Sequence, residues 1–396
     1  MHVAFYSPSW PPRGSANGIV TYVAQIRDYL LSCGHEVTVF TGDAAHLSDG
    51  STRPYPGDLP LSAKLRGKIR ERLWPGTASY AGAALSCHLA RAVHEIGVEI
   101  FEIEESFGWA HHLDKALSLP VVMRLHGPHY LGKSEPIDRT AARHDRNRIL
   151  LEARAIESAR AITSPSVAML EDVRRKHRLS ARFVEAIPNP ISLAETTWSL
   201  DTCDKRSVLM VGRLDKRKGF DVALKAFSRF AKSHEEARLL VVGPPGPNGF
   251  SPGSDLKAAD LEPFGLDPAV YDRVHLLGLL PPTRIAELRQ QALVTIMCSR
   301  FENFPYSGAE AMAMGCPFVS TRSFHAEMVI DGETGFLVDQ ADDAAMADRI
   351  DRLFRHPEEA QHLGAAARKR ATTVYASDIV GTQMETFYER VKSDWR

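Results

Sequence analysis

With 396 residues, 44% hydrophobic and 24% charged, the chain is long enough for two domains of ordinary size, each with its own core. A formal net charge of −1 excludes a nucleic-acid binder, which needs an excess of clustered cations. Five scattered cysteines, Cys33, Cys87, Cys203, Cys298 and Cys316, form no paired framework and suit a reducing cytosol.

In chain order, residues 2–6 read as a first strand, residues 8–17 as a loop, and Gly18 opens a helix. The buried stripe expected on that helix is Ile19, Tyr22, Val23, Ile26 and Leu30. No basic and apolar leader precedes the strand, and no run approaches about 18 apolar residues, so a cytoplasmic location is expected. Residues 61–74 repeat Leu61, Leu65, Ile69 and Leu73 at i, i+4 spacing among Lys64, Arg66, Lys68, Arg70 and Arg72. Such a basic amphipathic stretch can lie on an anionic membrane face, or pack its leucines on its own domain.

A strand over residues 120–125 ends at His126-Gly127-Pro128. The adjacent His111 and His112, with His129, show no carboxylate at ligand spacing, so no metal site is read there. Prolines and polar residues interrupt the pattern over residues 187–206, which marks a domain boundary. Residues 208–212 then form a buried strand, followed by Arg213-Leu214-Asp215-Lys216-Arg217-Lys218-Gly219 and a helix over residues 220–232. Arg213 and Lys218 can converge on one anion, the first as a planar fork and the second as a point charge.

Residues 292–298 read as another buried strand, and residues 309–314 as a helix stopped by Gly315 and Pro317. Between them lies Glu302-Asn303-Phe304-Pro305-Tyr306-Ser307-Gly308-Ala309-Glu310. Two carboxylates flanking backbone amides suit a polyol, because carboxylates accept hydrogen bonds from sugar and ribose hydroxyls. Alternating strands and helices point to α/β architecture with parallel, doubly wound sheets.

Together with the run from Glu327 to Val338, these motifs resemble a retaining glycosyltransferase of family 4, over almost the whole length. The resemblance implies the GT-B fold, two Rossmann-like doubly wound parallel-sheet domains facing a central cleft. Residues 1–190 would bind acceptor, with a helix over residues 376–396 packing back on them, and residues 191–375 would bind the nucleotide sugar. By family position Arg213 and Lys218 hold the donor diphosphate, Glu310 the ribose hydroxyls, and Glu302 with Asn303, Phe304, Pro305 and Tyr306 the transferred sugar. Gly18 would touch the donor phosphate, His126 would face the sugar, and the strand with Val274 and His275 would border the base.

The implied partners are a nucleoside-diphosphate sugar and a sugar, lipid-linked or small-molecule acceptor, with no cofactor and no metal. Nucleotide-sugar 2-epimerases of the same fold, a glycogen-phosphorylase-like enzyme and a non-catalytic sensor are the alternatives. The chain departs from the family pattern at Asn17, where a first glycine usually stands, and at Pro190 and Ser192. It also departs at Gly243-Pro244-Pro245-Gly246, at Cys298 and at Ser323-Phe324-His325-Ala326.

Overall fold

A computed structural model describes residues 1–12, 17–54, 65, 69, 80–131, 139–193, 195–246, 261 and 265–395. The chain divides into two compact units, Met1–Pro190 with Ser377–Arg396, and Ile191–Ala376.

The first unit holds β1 (His2–Tyr6), β2 (Glu36–Phe40), β3 (Ala44–His46), β4 (Thr52–Pro54), β5 (Ile100–Glu104), β6 (Val121–Arg124), β7 (Ala161–Ser164) and β8 (Phe183–Ala186), ordered β4-β3-β2-β1-β5-β6-β7-β8. The ladder is parallel from β2 to β8, and β3 and β4 add antiparallel strands at one edge. Strands β1, β5, β6 and β7 are buried throughout, as expected for a parallel sheet covered on both faces. Strand order reverses at β1, which pairs with β2 on one side and β5 on the other, and ligands of such sheets bind beyond the carboxyl ends at this switch.

Helix Gly18–Ser32 follows β1, and Asn17 is its cap: in extended conformation (φ −112, ψ 118), its side-chain oxygen accepts the Ile19 N–H at 3.0 Å. Asn17 therefore serves as the cap of this helix. Val20, Tyr22, Val23, Ile26 and Leu30 are buried, whereas Ile19 in the first turn stays half-buried.

The last helix, Ser377–Ser393, belongs to this unit and starts within one residue of the expected position, after a π-helical turn over Ala371–Tyr375. Val380, Met384, Phe387, Tyr388 and Val391 are buried, while Ile379 faces out. Gly381 lets the Tyr29 ring approach; a Cβ there would lie 2.2 Å from Tyr29 Cγ. The Tyr388 hydroxyl donates to Glu102 at 2.7 Å. Arg124, fully buried at the end of β6, donates to the Ile187 carbonyl at 2.8 Å and to Asn189 Oδ1 at 2.7 Å, tying the boundary segment to the sheet.

The second unit is an all-parallel sheet of β9 (Asp204–Val211), β10 (Arg238–Val242), β11 (Val274–Leu276), β12 (Ala292–Met297), β13 (Phe318–Thr321) and β14 (Phe336–Val338), ordered β11-β10-β9-β12-β13-β14. Here the order reverses between β9 and β12, so their carboxyl ends frame the ligand crevice of this unit. Helix Phe220–Phe230 buries Val222, Leu224, Ala226, Phe227 and Phe230 in its core and ends two residues before the expected position 232.

The basic stretch 61–74 lies outside the described residues except for Leu65 and Ile69, both exposed. Among the described residues no helix is long and apolar enough to cross a membrane.

Candidate active site

The loop after β9 is shaped by glycines and one acid. Gly243 (φ +151) sits against the Gly212 carbonyl, where a Cβ would come within 1.9 Å of the oxygen. The Leu214 N–H donates to the Pro244 carbonyl at 3.0 Å and the Gly246 N–H to the Leu214 carbonyl at 3.3 Å, so Gly243-Pro244-Pro245-Gly246 braces the loop from one side. Buried Asp215 accepts the Lys218 N–H at 2.8 Å and faces Arg213 Nε at 3.2 Å. One carboxylate thus fixes both basic residues. Gly219 (φ +69) lies on the backbone of Cys298, just past β12, where a Cβ would stand 1.7 Å from the carbonyl oxygen. Arg300 locks the same two loops, with paired 2.8 Å bonds to Asp221 and its N–H on the Arg217 carbonyl at 2.9 Å.

This bracing brings Lys218 onto Glu302. Lys218 Nζ and Glu302 Oε1 form a hydrogen-bonded ion pair, with side chains 19% and 10% exposed. Burial would raise the Glu302 carboxyl, but the Lys218 ammonium and Arg217 outweigh it and hold the group below its ordinary value. Glu302 is therefore an anion at neutral pH. Its backbone is clasped by Ser323, whose hydroxyl accepts the Glu302 N–H at 3.0 Å and donates to the Glu302 carbonyl at 3.2 Å. His325 is fully buried beneath, its Nε2 2.9 Å from Ser320 Oγ, and burial pushes its imidazole down to about 4 against the pull of Glu302. The sequence Ser323-Phe324-His325 is thus built into the support of Glu302.

Asn303 and Phe304 are buried, and Phe304 packs edge-on against Tyr306 and Tyr375. Helix Tyr306–Met314 starts after Pro305, which supplies no side-chain cap and no N–H, so backbone donation in this run falls to Phe304, Tyr306 and Ser307. Glu310, half-exposed on that helix, is held by Arg289 Nη1 at 2.7 Å. Arg289 is buried and also donates to the Ser307 carbonyl at 3.2 Å, so it braces the helix start and the acid together. The body of β11, not its rim, holds Val274 and His275, paired with Leu239 and Leu240. Leu277, Gly278 and exposed Leu279 follow the carboxyl end, where a parallel sheet meets its ligand.

In the first unit Gly18 opens the helix after β1, and His126 follows β6. The His126 ring meets Tyr22 edge-on at 5.2 Å, and burial, then the Arg124 cation, push its imidazole down to about 3. It is a neutral histidine at physiological pH. The sequence showed no acid beside it, yet Glu105 is in contact, accepting the N–H groups of His126 at 2.8 Å and Gly127 at 2.7 Å. Burial and the neighbouring Glu152 push the Glu105 carboxyl up to about 8, against the His126 amide. Glu105 comes from the end of β5, which pairs with β6, a proximity that 21 residues of separation conceal. His129 is paired with Asp145 at 2.9 Å and His111 with Ser158 at 2.8 Å. No group of three His, Cys, Asp or Glu among the described residues could hold a metal ion.

The second unit thus sets two cations and two acids around the carboxyl ends of a parallel sheet, a combination that can bind an anion and hydroxyl groups side by side.

Two family models divide the chain. The model described as Glycosyltransferase Family 4 matches residues 16–195, and Glycosyl transferases group 1 matches residues 199–370. A D-inositol 3-phosphate glycosyltransferase of Acidothermus cellulolyticus is 26% identical over 87% of this chain and 79% of its own length. An alpha-D-kanosaminyltransferase of Streptomyces kanamyceticus is 23% identical over 70% of this chain and 72% of its own. Among solved structures, sucrose-phosphate synthase from Thermosynechococcus elongatus superposes with a TM-score of 0.77 at 22% identity, covering 99% of both chains. Anabaena HepE in complex with UDP-glucose superposes with a TM-score of 0.67 at 16% identity, covering 99% of this chain and 100% of its own.

Proposed function

We infer the course of the reaction from one premise: the chain belongs to the family 4 glycosyltransferases and has the GT-B fold. It is an enzyme that transfers a sugar from a nucleotide sugar. The reading proposed here is transfer of a hexose-type sugar from a nucleoside diphosphate to an acceptor hydroxyl, with retention at the anomeric carbon. The observation that carries it is the Lys218–Glu302 pair beside Arg213.

In this reading Arg213 and Lys218 neutralise the diphosphate as it departs, which is where negative charge grows. Ionised Glu302 accepts hydrogen bonds from hydroxyls of the transferred sugar, helped by the amides that follow it, and Glu310 accepts them from the ribose hydroxyls. Residues 277–279 border the base. The leaving phosphate oxygen takes the acceptor proton, and neutral His126 orients the sugar. No cofactor is assigned, and the two cations take the charge-neutralising role a metal would have.

Incubation with a panel of nucleotide sugars, with assay of free nucleotide, tests the reaction: acceptor-dependent release is expected, and a new nucleotide sugar formed without release would overturn it. Proton NMR of fresh product should show the donor's anomeric configuration; an inverted signal rules out retention. Peripheral contact with anionic membrane through the basic stretch 61–74 is proposed on its pattern alone. Failure of the protein to co-sediment with phosphatidylserine vesicles would sink that proposal.

A further inference from the structure

We propose that Glu105 and Glu152 are positioning residues that hold the turn carrying His126, two buried carboxylates gripping four backbone amides of two adjacent loops. The proposal rests on the sugar-facing reading of His126. The last ladder bond before the turn runs from the Leu125 N–H to the Thr163 carbonyl at 2.8 Å. Beyond it, the next two amides point to one side chain: Glu105 Oε2 accepts from His126 and Oε1 from Gly127, at 2.8 and 2.7 Å. Gly127 has φ +150, a conformation a side chain at that position would resist. Two residues on, the His129 N–H donates to Glu152 Oε2 at 2.7 Å.

The same acid holds the opposite loop. Glu152 Oε1 accepts the Phe107 N–H at 3.2 Å and Arg148 Nε at 2.6 Å. Phe107 pays for this contact in backbone strain, with φ 60 and ψ 4, a left-handed conformation uncommon for a bulky residue. Gly108 beside it (φ +68) is pressed on Leu151, where a Cβ would lie 2.3 Å from the carbonyl oxygen.

Glu105 is 0% and Glu152 1% exposed. Two acids buried side by side do not readily ionise together, and burial with the neighbouring Glu152 raises the Glu105 carboxyl. An acid is required if two consecutive N–H groups must each find an oxygen, since a glutamine offers one acceptor oxygen where a carboxyl group offers two. The arrangement fixes the backbone of His126, and with it the ring that meets Tyr22. It acts on turnover through His126 and touches no reacting atom.

Glu105→Gln keeps the side-chain shape and removes one acceptor. It should lower kcat about tenfold or more. The dissociation constant of the nucleoside diphosphate should stay unchanged, because Glu105 holds none of its proposed ligands, Arg213, Lys218 and Glu310 in the other unit and Gly18 after β1. Hydrogen exchange of peptides spanning residues 125–130 should quicken. Glu104→Gln is the matched control: Glu104 is also buried but bonds the Ser106 hydroxyl at 2.9 Å and none of these amides. It should leave turnover and exchange as they are. Unchanged exchange in Glu105→Gln, or an equal loss of turnover in Glu104→Gln, would overturn the proposal. Loss of turnover in His126→Ala but not in Glu105→Gln would overturn the positioning role and leave the His126 reading standing. Full turnover in His126→Ala would remove both.

Discussion

Lys218 and Glu302 lie 84 residues apart in sequence and meet as an ion pair between the loops that follow β9 and β12. The cation proposed for the diphosphate and the acid proposed for the sugar are thus one unit. Removing Lys218 takes away the cation that holds the Glu302 carboxyl below its ordinary value.

This coupling separates Lys218 from Arg213. Lys218→Ala leaves a buried carboxylate without its partner and should lower stability by about 1–3 kcal/mol as well as weakening nucleoside diphosphate binding. Arg213 is 41% exposed, so Arg213→Ala should weaken binding about tenfold with little change in melting temperature. Thermal unfolding and titration calorimetry on both variants check this. Equal stability losses would contradict the coupling, and undiminished affinity in both would take them out of the donor site.

Gly219→Ala should be far more damaging than its one added methyl suggests. The residue has φ +69 and its Cβ would fall 1.7 Å from the Cys298 carbonyl oxygen, so the loops bearing Lys218 and Glu302 must part. Loss of nucleotide binding is expected, with a lowered melting temperature. A variant that binds nucleotide as tightly as the parent would show that the loops tolerate separation.

The parts of the site legible in the sequence were those that lie within a single strand–loop–helix segment. Arg213, Lys218, Glu302 and Glu310 stand in short motifs at strand ends, and strand–loop–helix order places such residues at the crevice. What escaped was support arriving from elsewhere. Arg289 lies on the buried face of helix Pro282–Gln291, and nothing in its own neighbourhood announces a partner 21 positions on. Glu105 reaches His126 across neighbouring strands. Asp215 was in view between the two cations, yet its role depends on the loop's turn, not on spacing. The fold followed more readily, because buried strands and amphipathic helices carry their pattern locally. Periodicity does not mark the π-helical turn over Ala371–Tyr375 that precedes helix Ser377–Ser393.

Arg289→Met tests the brace behind Glu310. The buried guanidinium holds Oε2 at 2.7 Å, and without it the acid is free to leave its pose. If Glu310 accepts ribose hydroxyls, the variant should lose most of the preference for a nucleoside diphosphate over its 2′-deoxy counterpart while keeping diphosphate binding. Competition titrations measure the ratio. An unchanged preference would remove Arg289, and with it the pose of Glu310, from ribose recognition.

Chelation bears on the charge balance of the leaving group. With Arg213 and Lys218 assigned to the diphosphate, turnover should survive EDTA. Activity abolished by the chelator and restored by manganese or magnesium would show that the two cations do not suffice.

The histidines set the acid side of the stability profile. Burial pushes His126 down to about 3 and His325 to about 4, whereas both protonate near the ordinary value of 6.5 once unfolded. Below pH about 6.5 the unfolded chain therefore binds more protons than the folded one, and stability falls as pH drops toward the folded values. Their contribution is complete above 6.5. Glu104 and Glu105 act in the opposite sense: raised to about 7 and about 8, they favour the folded form at low pH and lose that contribution as pH climbs through those values. The parent profile sums both, so the comparison must be made between variants. His325→Gln takes up no proton and keeps a hydrogen-bonding side chain. Its melting temperature should fall less between pH 7.5 and pH 5 than that of the parent, whatever the offset at pH 7.5. For His126 the kinetic counterpart is a turnover profile with no ionisation near 6.5. An acid limb at that pH that disappears in His126→Gln would mean that the imidazole titrates freely, and that burial does not hold it neutral.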